Sequence, residues 1–242
     1  MKRIIIYGAS SGIGKALACM YAEQGDKVAV AARRIDNLKE MQRQFPNNLI
    51  PFQVDVTDNS REQFNQMVEA LQGADLVVYC SGMGKQNVEF DMDIEYRTID
   101  VNVTGFTTVV AAVVEYGSKA GHHVQFAAIS SIASTKGLGV SASYSATKMY
   151  QVRYLESMRQ LASIKGWNMD FTVIKPGFIA TDFIKDRKYP MTMTLDYAAK
   201  RIKRAIDKRK NSAVIDWRWA IVVGFWKMIP NWLWYKLKIS RG

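Results

Sequence analysis

The sequence predicts an α/β domain in which one parallel sheet of about seven strands is covered by helices on both faces. Three observations carry this. Short apolar runs alternate with longer stretches of helical character, so successive strands are joined by crossovers rather than hairpins. The first run passes straight into a glycine-rich turn that opens a helix. The chain has 242 residues and 48% hydrophobic content, enough for the core of one such domain, and it contains no internal repeat or low-complexity stretch.

The opening run, Lys2-Arg3-Ile4-Ile5-Ile6-Tyr7, is β-branched and reads as a strand. Gly8-Ala9-Ser10-Ser11-Gly12-Ile13-Gly14 follows, then helical residues from Lys15 to about Gln24. Glycines at 8, 12 and 14 let the backbone turn tightly, approach a pyrophosphate closely and pack the helix start on the strand, while the helix N-terminus offers free N–H groups and a positive dipole end. Gly8, Ser10, Ser11, Gly12, Ile13 and Gly14 are therefore candidate dinucleotide contacts, and the architecture is a Rossmann fold. The second strand, Lys27 to Ala32, ends where an NAD-binding chain places an acidic residue on the adenosine ribose; here Ala32 is followed by Arg33 and Arg34. Two guanidinium groups with no carboxylate favour a 2′-phosphate, so the expected cofactor is NADP(H). Runs at Leu49–Val54, Leu76–Cys80, Val124–Ser130, Met169–Ile174 and Ala213–Ile215 complete the sheet.

Tyr144 and Lys148 stand four residues apart in Tyr-Ser-Ala-Thr-Lys, a spacing that puts both side chains on one helix face. A close ammonium stabilises a tyrosinate, and the expectation is that Lys148 depresses the Tyr144 pKa enough to make the phenol a usable acid near neutral pH. Alone, the pair is more often just a solvated surface pair.

Together these residues resemble the short-chain dehydrogenase/reductase family, from residue 2 to about 182. The order along the chain matches: the glycine turn, Asp55-Val56 after the third strand, Asn102 in Asn-Val-Thr-Gly, Ser131 thirteen residues before Tyr144, and Pro176-Gly177 with Thr181 after the sixth strand. The resemblance implies that Asp55 and Val56 contact the adenine, that Ile179 and Thr181 lie by the nicotinamide carboxamide, and that Ser81, Gly82, Pro176 and Gly177 also line the cofactor. It implies a catalytic set in which Tyr144 protonates a carbonyl oxygen held by Ser131, Lys148 holds the nicotinamide ribose, and Asn102 fixes a water that relays protons. Two positions depart from the family pattern: Tyr7 replaces a threonine, and Tyr79-Cys80-Ser81-Gly82 replaces Asn-Asn-Ala-Gly. A local rearrangement around residues 79 to 83 is expected, because the missing asparagine amide leaves backbone groups in need of partners.

The net charge of +11 is uneven: residues 200–242 hold twelve lysines and arginines against two aspartates, while residues 1–199 are nearly balanced. The same tail carries Trp217, Trp219, Trp226, Trp232 and Trp234, five of six tryptophans. Its longest uncharged stretch, Trp219 to Trp226, falls well short of the ~20 apolar residues of a spanning helix. Tryptophan, aliphatic residues and lysine in short helices suit the headgroup region of an anionic membrane; a roof over the substrate cleft or a subunit contact are the competing readings. Nucleic acid is not expected, since the residues between the cations are apolar.

Cys19 and Cys80 lack metal or disulfide spacing, and the adjacent His122 and His123 read as turn residues, so no metal site is expected. The apolar run at the N-terminus is too short for a secretion signal, which favours a cytoplasmic protein, peripheral to a membrane if the tail binds lipid. The chain divides into a dinucleotide-binding and catalytic core, 1–182, and a lid plus basic aromatic extension of the same domain, 183–242.

The expected activity is hydride transfer between NADP(H) and a ketone or secondary alcohol. Phe183, Ile184, Tyr189, Pro190, Met191 and Met193, where this family carries its substrate lid, point to a lipophilic substrate such as a 3-keto lipid. A non-catalytic NADP(H) sensor, a nucleotide-sugar epimerase and a membrane-peripheral scaffold are the alternatives. The resemblance also implies a homodimer or homotetramer built on helices near Gly105–Lys119 and Tyr144–Ile164.

Overall fold

A computed structural model describes residues 1–58, 60–181 and 189–237. Seven strands, β1 (Arg3–Tyr7), β2 (Lys27–Ala32), β3 (Leu49–Gln53), β4 (Leu76–Tyr79), β5 (Val124–Ile129), β6 (Met169–Pro176) and β7 (Ser212–Ile215), form one sheet. Their order is β3-β2-β1-β4-β5-β6-β7 and every pairing is parallel. Direction along the sheet reverses between β1 and β4, the place where a parallel α/β sheet opens a crevice at its carboxyl edge.

The strands are β-branched and buried on both faces, as a sheet sandwiched between helices requires. One face packs α1 (Gly12–Glu23), α2 (Ile35–Gln44), α7 (Leu195–Asp207) and α8 (Trp217–Met228) against Ile4, Ile6, Val28, Val30 and Ile174. The other packs α3 (Ser60–Leu71), α5 (Phe106–Gly117) and α6 (Ala142–Lys165) against Ile5, Tyr7, Val77, Phe126 and Val173. α4 (Met92–Ile99) runs into α5 through a π-helical turn, Asp100–Gly105. The continuous stretch Met92–Gly117 is long and apolar enough to cross a membrane. Here it is a core element: Phe106, Val109, Val110 and Val113 are fully buried against the sheet.

Tyr7 explains its own departure from the family pattern. Its ring is fully buried and stands 6.0 Å from Tyr79, which packs edge-on to Phe106 at 5.4 Å. An aromatic layer thus fills the core beneath the cofactor-side edge. At Cys80 the backbone N–H donates to Tyr7 O at 2.9 Å and carries the β1–β4 ladder one residue further, so this group has a partner without an asparagine amide. α6 stops at Gly166, whose φ of +64° is the left-handed closure glycine provides without strain.

Candidate active site

The candidate residues converge on the carboxyl edge of the sheet. After β1, Gly8 takes φ +75°, and a Cβ there would lie 2.6 Å from Ser81 N. A Cβ on Gly14 would lie 2.3 Å from Gly8 O. Both glycines are needed for the turn to nest between β4 and the start of α1. Gly12, at φ +53°, faces open space except for Thr181 Cγ2 at 3.6 Å, so the loop after β6 arches over the glycine turn. The cradle fits a dinucleotide: its backbone closes inward on protein and leaves the amino end of α1 open outward.

Arg34 folds back onto this turn. Its guanidinium donates to Ser10 Oγ at 3.0 Å and Ser11 Oγ at 2.8 Å, which puts a cation and two hydroxyls together beside the glycine turn. Arg33 is exposed like Arg34 and reaches Asp55 Oδ2 at 3.9 Å. Asp55 is further held by Thr57, whose hydroxyl donates to Oδ1 at 2.8 Å. Val56 is buried, and its carbonyl would be 2.6 Å from a Cβ on Gly105, so only glycine lets the π-helical turn approach this strand end.

Ser131 begins a short 3-10 turn after β5, where its hydroxyl accepts from Ala133 N at 3.1 Å and hydrogen-bonds with Tyr144. Ser130, its neighbour, is buried and donates to Lys148 O at 3.0 Å. It clamps α6 to the sheet and leaves Ser131 to face the cleft. Lys148 is 4% exposed, and its Nζ donates to Ile129 O at 3.0 Å and Gln151 Oε1 at 3.1 Å while standing 5.8 Å from the centre of the Tyr144 ring. A Cβ on Gly82 would come within 3.3 Å of that Nζ, so glycine there leaves the ammonium accessible from the cleft.

Burial sets the proton affinities. It pushes Lys148 down to about 8, against the thiol of nearby Cys80, and it pushes Cys80 itself up to about 12. Tyr144 lies above its ordinary value because burial outweighs the Ser131 hydrogen bond. This corrects the expectation that Lys148 brings the phenol near neutrality: the ammonium aims two of its hydrogen bonds at Ile129 and Gln151. At neutral pH the pair is a protonated phenol beside a protonated amine. That is an acid ready to give a proton, with a cation about 6 Å away to receive the charge left behind.

Asn102 is the next member of the site. It is fully buried in the π-helical turn, with Oδ1 accepting from Met83 N at 2.9 Å and Nδ2 donating to Met83 O at 2.6 Å and Thr147 Oγ1 at 3.0 Å. Its carbonyl accepts from Gln151 Nε2 at 3.0 Å, so the link between Asn102 and Lys148 is an amide side chain. An amide fixes geometry at both ends but, unlike a water or hydroxyl, hands no proton onward without changing tautomer. Gln151 and Thr147 are the residues that motif reading missed. Helical spacing puts Gln151 on the face of Tyr144 and Lys148, at i, i+4 and i+7 of α6, but names no partner for it.

The loop after β6 completes the site. Gly177 N donates to Ile215 O at 2.8 Å, Ile179 is buried and bridges to Met193, and Thr181 Oγ1 donates to Ile179 O at 3.3 Å. Trp219 roofs this loop: a Cβ on Gly177 would fall 2.2 Å from its indole, and Phe178 meets its ring edge-on at 5.4 Å. Phe178 also stacks on Tyr189 at 4.0 Å. Of the expected lid, Phe183 and Ile184 lie outside the described residues.

A protein-family model for short chain dehydrogenase matches residues 2–191. The chain belongs to the short-chain dehydrogenase/reductase family. An uncharacterized oxidoreductase of Myxococcus xanthus is 29% identical over 238 residues, covering 94% of this chain and 92% of that protein. Among solved structures, a short chain dehydrogenase from Burkholderia cenocepacia in complex with NADP superposes with a TM-score of 0.83 at 19% identity, over 98% of this chain and 97% of its own. The structure of ElxO with NADP bound gives 0.78 at 22% identity, over 89% of this chain and 98% of its own. These likenesses share the seven-stranded parallel fold. The family makes the protein an oxidoreductase acting on CH–OH groups with a nicotinamide dinucleotide.

Proposed function

We propose that this protein is an NADPH-dependent carbonyl reductase whose substrate is an apolar, lipid-like ketone, working on the cytoplasmic side at a membrane surface. The observation that carries the reduction is the cluster of Ser131, Tyr144 and buried Lys148 at the mouth of the glycine turn. When bound, the reduced nicotinamide supplies the hydride. Ser131 and Tyr144 hydrogen-bond the substrate oxygen, and Tyr144 gives its proton to that oxygen as negative charge builds. The Lys148 ammonium, 5.8 Å from the ring, stabilises the tyrosinate by about 3 kcal/mol at an effective dielectric of about 20. Gln151 holds the ammonium in place through its Oε1.

NADP preference rests on Arg34, locked to Ser10 and Ser11, and on the absence of an acidic residue at the end of β2. The apolar substrate rests on Phe178, Tyr189 and Met191, half-buried aromatic and thioether groups that follow β6 and pack beside buried Met193 and Trp219. A non-catalytic NADP(H) sensor has no use for Ser131 and Tyr144 in hydrogen-bond contact. An NADPH-oxidation screen over ketones of graded chain length tests the reading: turnover rising with chain length supports it, and turnover of no ketone contradicts it. Arg34→Ala is expected to raise the Michaelis constant for NADPH at least about tenfold and leave that for NADH unchanged. Equal effects on both contradict the cofactor assignment.

A further inference from the structure

We propose that the outward face of α8 and of α9 (Asn231–Trp234) docks on an anionic lipid bilayer, so that the roof of the active-site cleft rests on the membrane. The sequence of α8, Trp-Arg-Trp-Ala-Ile-Val-Val-Gly-Phe-Trp-Lys-Met, is apolar on nearly every side. A helix of that kind belongs in an interior. Only half of α8 has one. Trp219 and Val223 are buried and Trp226 packs on the core, whereas Trp217, Ile221, Phe225 and Met228 are 64%, 51%, 64% and 77% exposed. Their spacing of four, four and three residues puts them in one stripe. Trp232, Leu233, Tyr235 and Leu237 extend it beyond the turn at Pro230. Among the described residues, these twenty-one positions hold eight of the fifteen exposed large apolar side chains, a concentration that marks a contact surface.

Charge selects the occupant. Residues 200–242 carry net +10, and no acidic residue follows Asp216, whose carboxylate is already bonded by Arg218. Lys227 and Lys236 are exposed along the stripe, with Lys236 Nζ 5.9 Å over the Trp232 ring. A second copy of the chain seated here brings like charge against like and offers no anion. Anionic lipid supplies both missing components, an apolar phase for the stripe and negative headgroups for the cations. At twelve residues α8 is too short to span, so it lies in the plane of the interface.

The two faces of α8 thus divide the work. Trp219 seats on Gly177 and Phe178 at the cleft, and Phe225 on the other side faces the bilayer. The proposal deepens the reading of a lipid-like substrate, because a ketone dissolved in the bilayer then reaches the cleft without crossing water.

The test is sedimentation of the full-length protein with phosphatidylcholine vesicles, with and without phosphatidylglycerol, alongside turnover of a short water-soluble ketone and light scattering on the same preparations. The expected result is retention on the anionic vesicles that falls with salt. An Ile221→Ser/Phe225→Ser double variant is expected to bind at least about tenfold more weakly with unchanged turnover. Wild-type protein that oxidises NADPH but is not retained overturns docking and leaves the reductase reading intact. Retention that the double variant does not reduce overturns it as well, as does a wild-type dimer that the substitutions split, which makes the stripe a contact between copies. Retention without turnover of any ketone sinks the reductase reading alone.

Discussion

The catalytic edge of the sheet and the terminal pair α8 and α9 use the same kinds of side chain to opposite ends. At the edge, polar groups are buried and spent on one another: Asn102, Gln151 and Lys148 are each less than 5% exposed and bonded among themselves and to the backbone. At the tail, apolar groups are left outside, and the cations beside them face solvent. Burying polar groups costs stability unless each finds a partner, and exposing apolar ones forgoes the stabilisation of burial. Each region therefore departs from what folding alone favours, and each departure marks a function: proton chemistry at the edge, surface contact at the tail.

Substitutions separate the two regions by size of effect. Lys148→Ala removes the cation that faces Tyr144, and the expected loss in turnover is on the order of a hundredfold, matching about 3 kcal/mol of lost Coulomb stabilisation. Retained turnover in steady-state kinetics contradicts that role. In the wild type, reduction is expected to fall as pH rises through about 8, where Lys148 loses its proton.

Gln151→Leu sharpens the argument. Gln151 Oε1 accepts from the charged form of Lys148, so its removal lowers the lysine pKa further. Turnover is expected to drop about tenfold, with the alkaline limb moving to lower pH. Gln151→Glu is expected to move that limb the other way, and a limb that stays put in both variants reduces Gln151 to packing.

Stability should follow the same lysine with a defined sign. Because its folded pKa of about 8 lies below the unfolded value of 10.5, the unfolded chain binds more protons between these limits and stability rises with pH there. The rise attributable to Lys148 is on the order of 3 kcal/mol, read as the difference in urea midpoints between wild type and Lys148→Met at pH 7 and pH 10. No difference in pH slope between the two contradicts the buried cation.

Gly177→Ala tests the seam between the regions, since its Cβ falls 2.2 Å from the Trp219 ring. Displacing the indole is expected to cost about 1–3 kcal/mol, seen as a lower Tm, with a raised Michaelis constant for long-chain ketones. The smallest effect belongs to the outer stripe. Phe225→Ser is expected to change stability by under about 0.5 kcal/mol and soluble-ketone turnover not at all; a large loss of Tm places Phe225 in the fold rather than on its surface.

Legibility in the sequence divides along the same line. The seven strands were readable to within about two residues, because buried parallel strands are short β-branched runs bounded by turns. The glycine turn and the Tyr144/Lys148 pair were readable because local backbone and helix spacing define them. The Gln151 bridge was not, since it depends on how α6 meets the π-helical turn at Asn102, a packing of segments 49 residues apart. The phenol's raised pKa is hidden from the sequence for the same reason: spacing places Lys148 near Tyr144 but does not say where its hydrogen bonds go. In the tail, apolar residues on all sides of α8 gave no period to say which face is covered, and only the position of Trp219 over Gly177 decides it.

The central claim is that the Tyr144 phenol delivers the proton in an NADPH-driven reduction. NADPH oxidation with a ketone substrate, measured for wild type and Tyr144→Phe together with NADPH binding by fluorescence, tests it most directly. The account predicts unchanged binding and turnover lower by about a thousandfold in the variant. Turnover within about threefold of wild type contradicts it, because a ring without its hydroxyl has no proton to give.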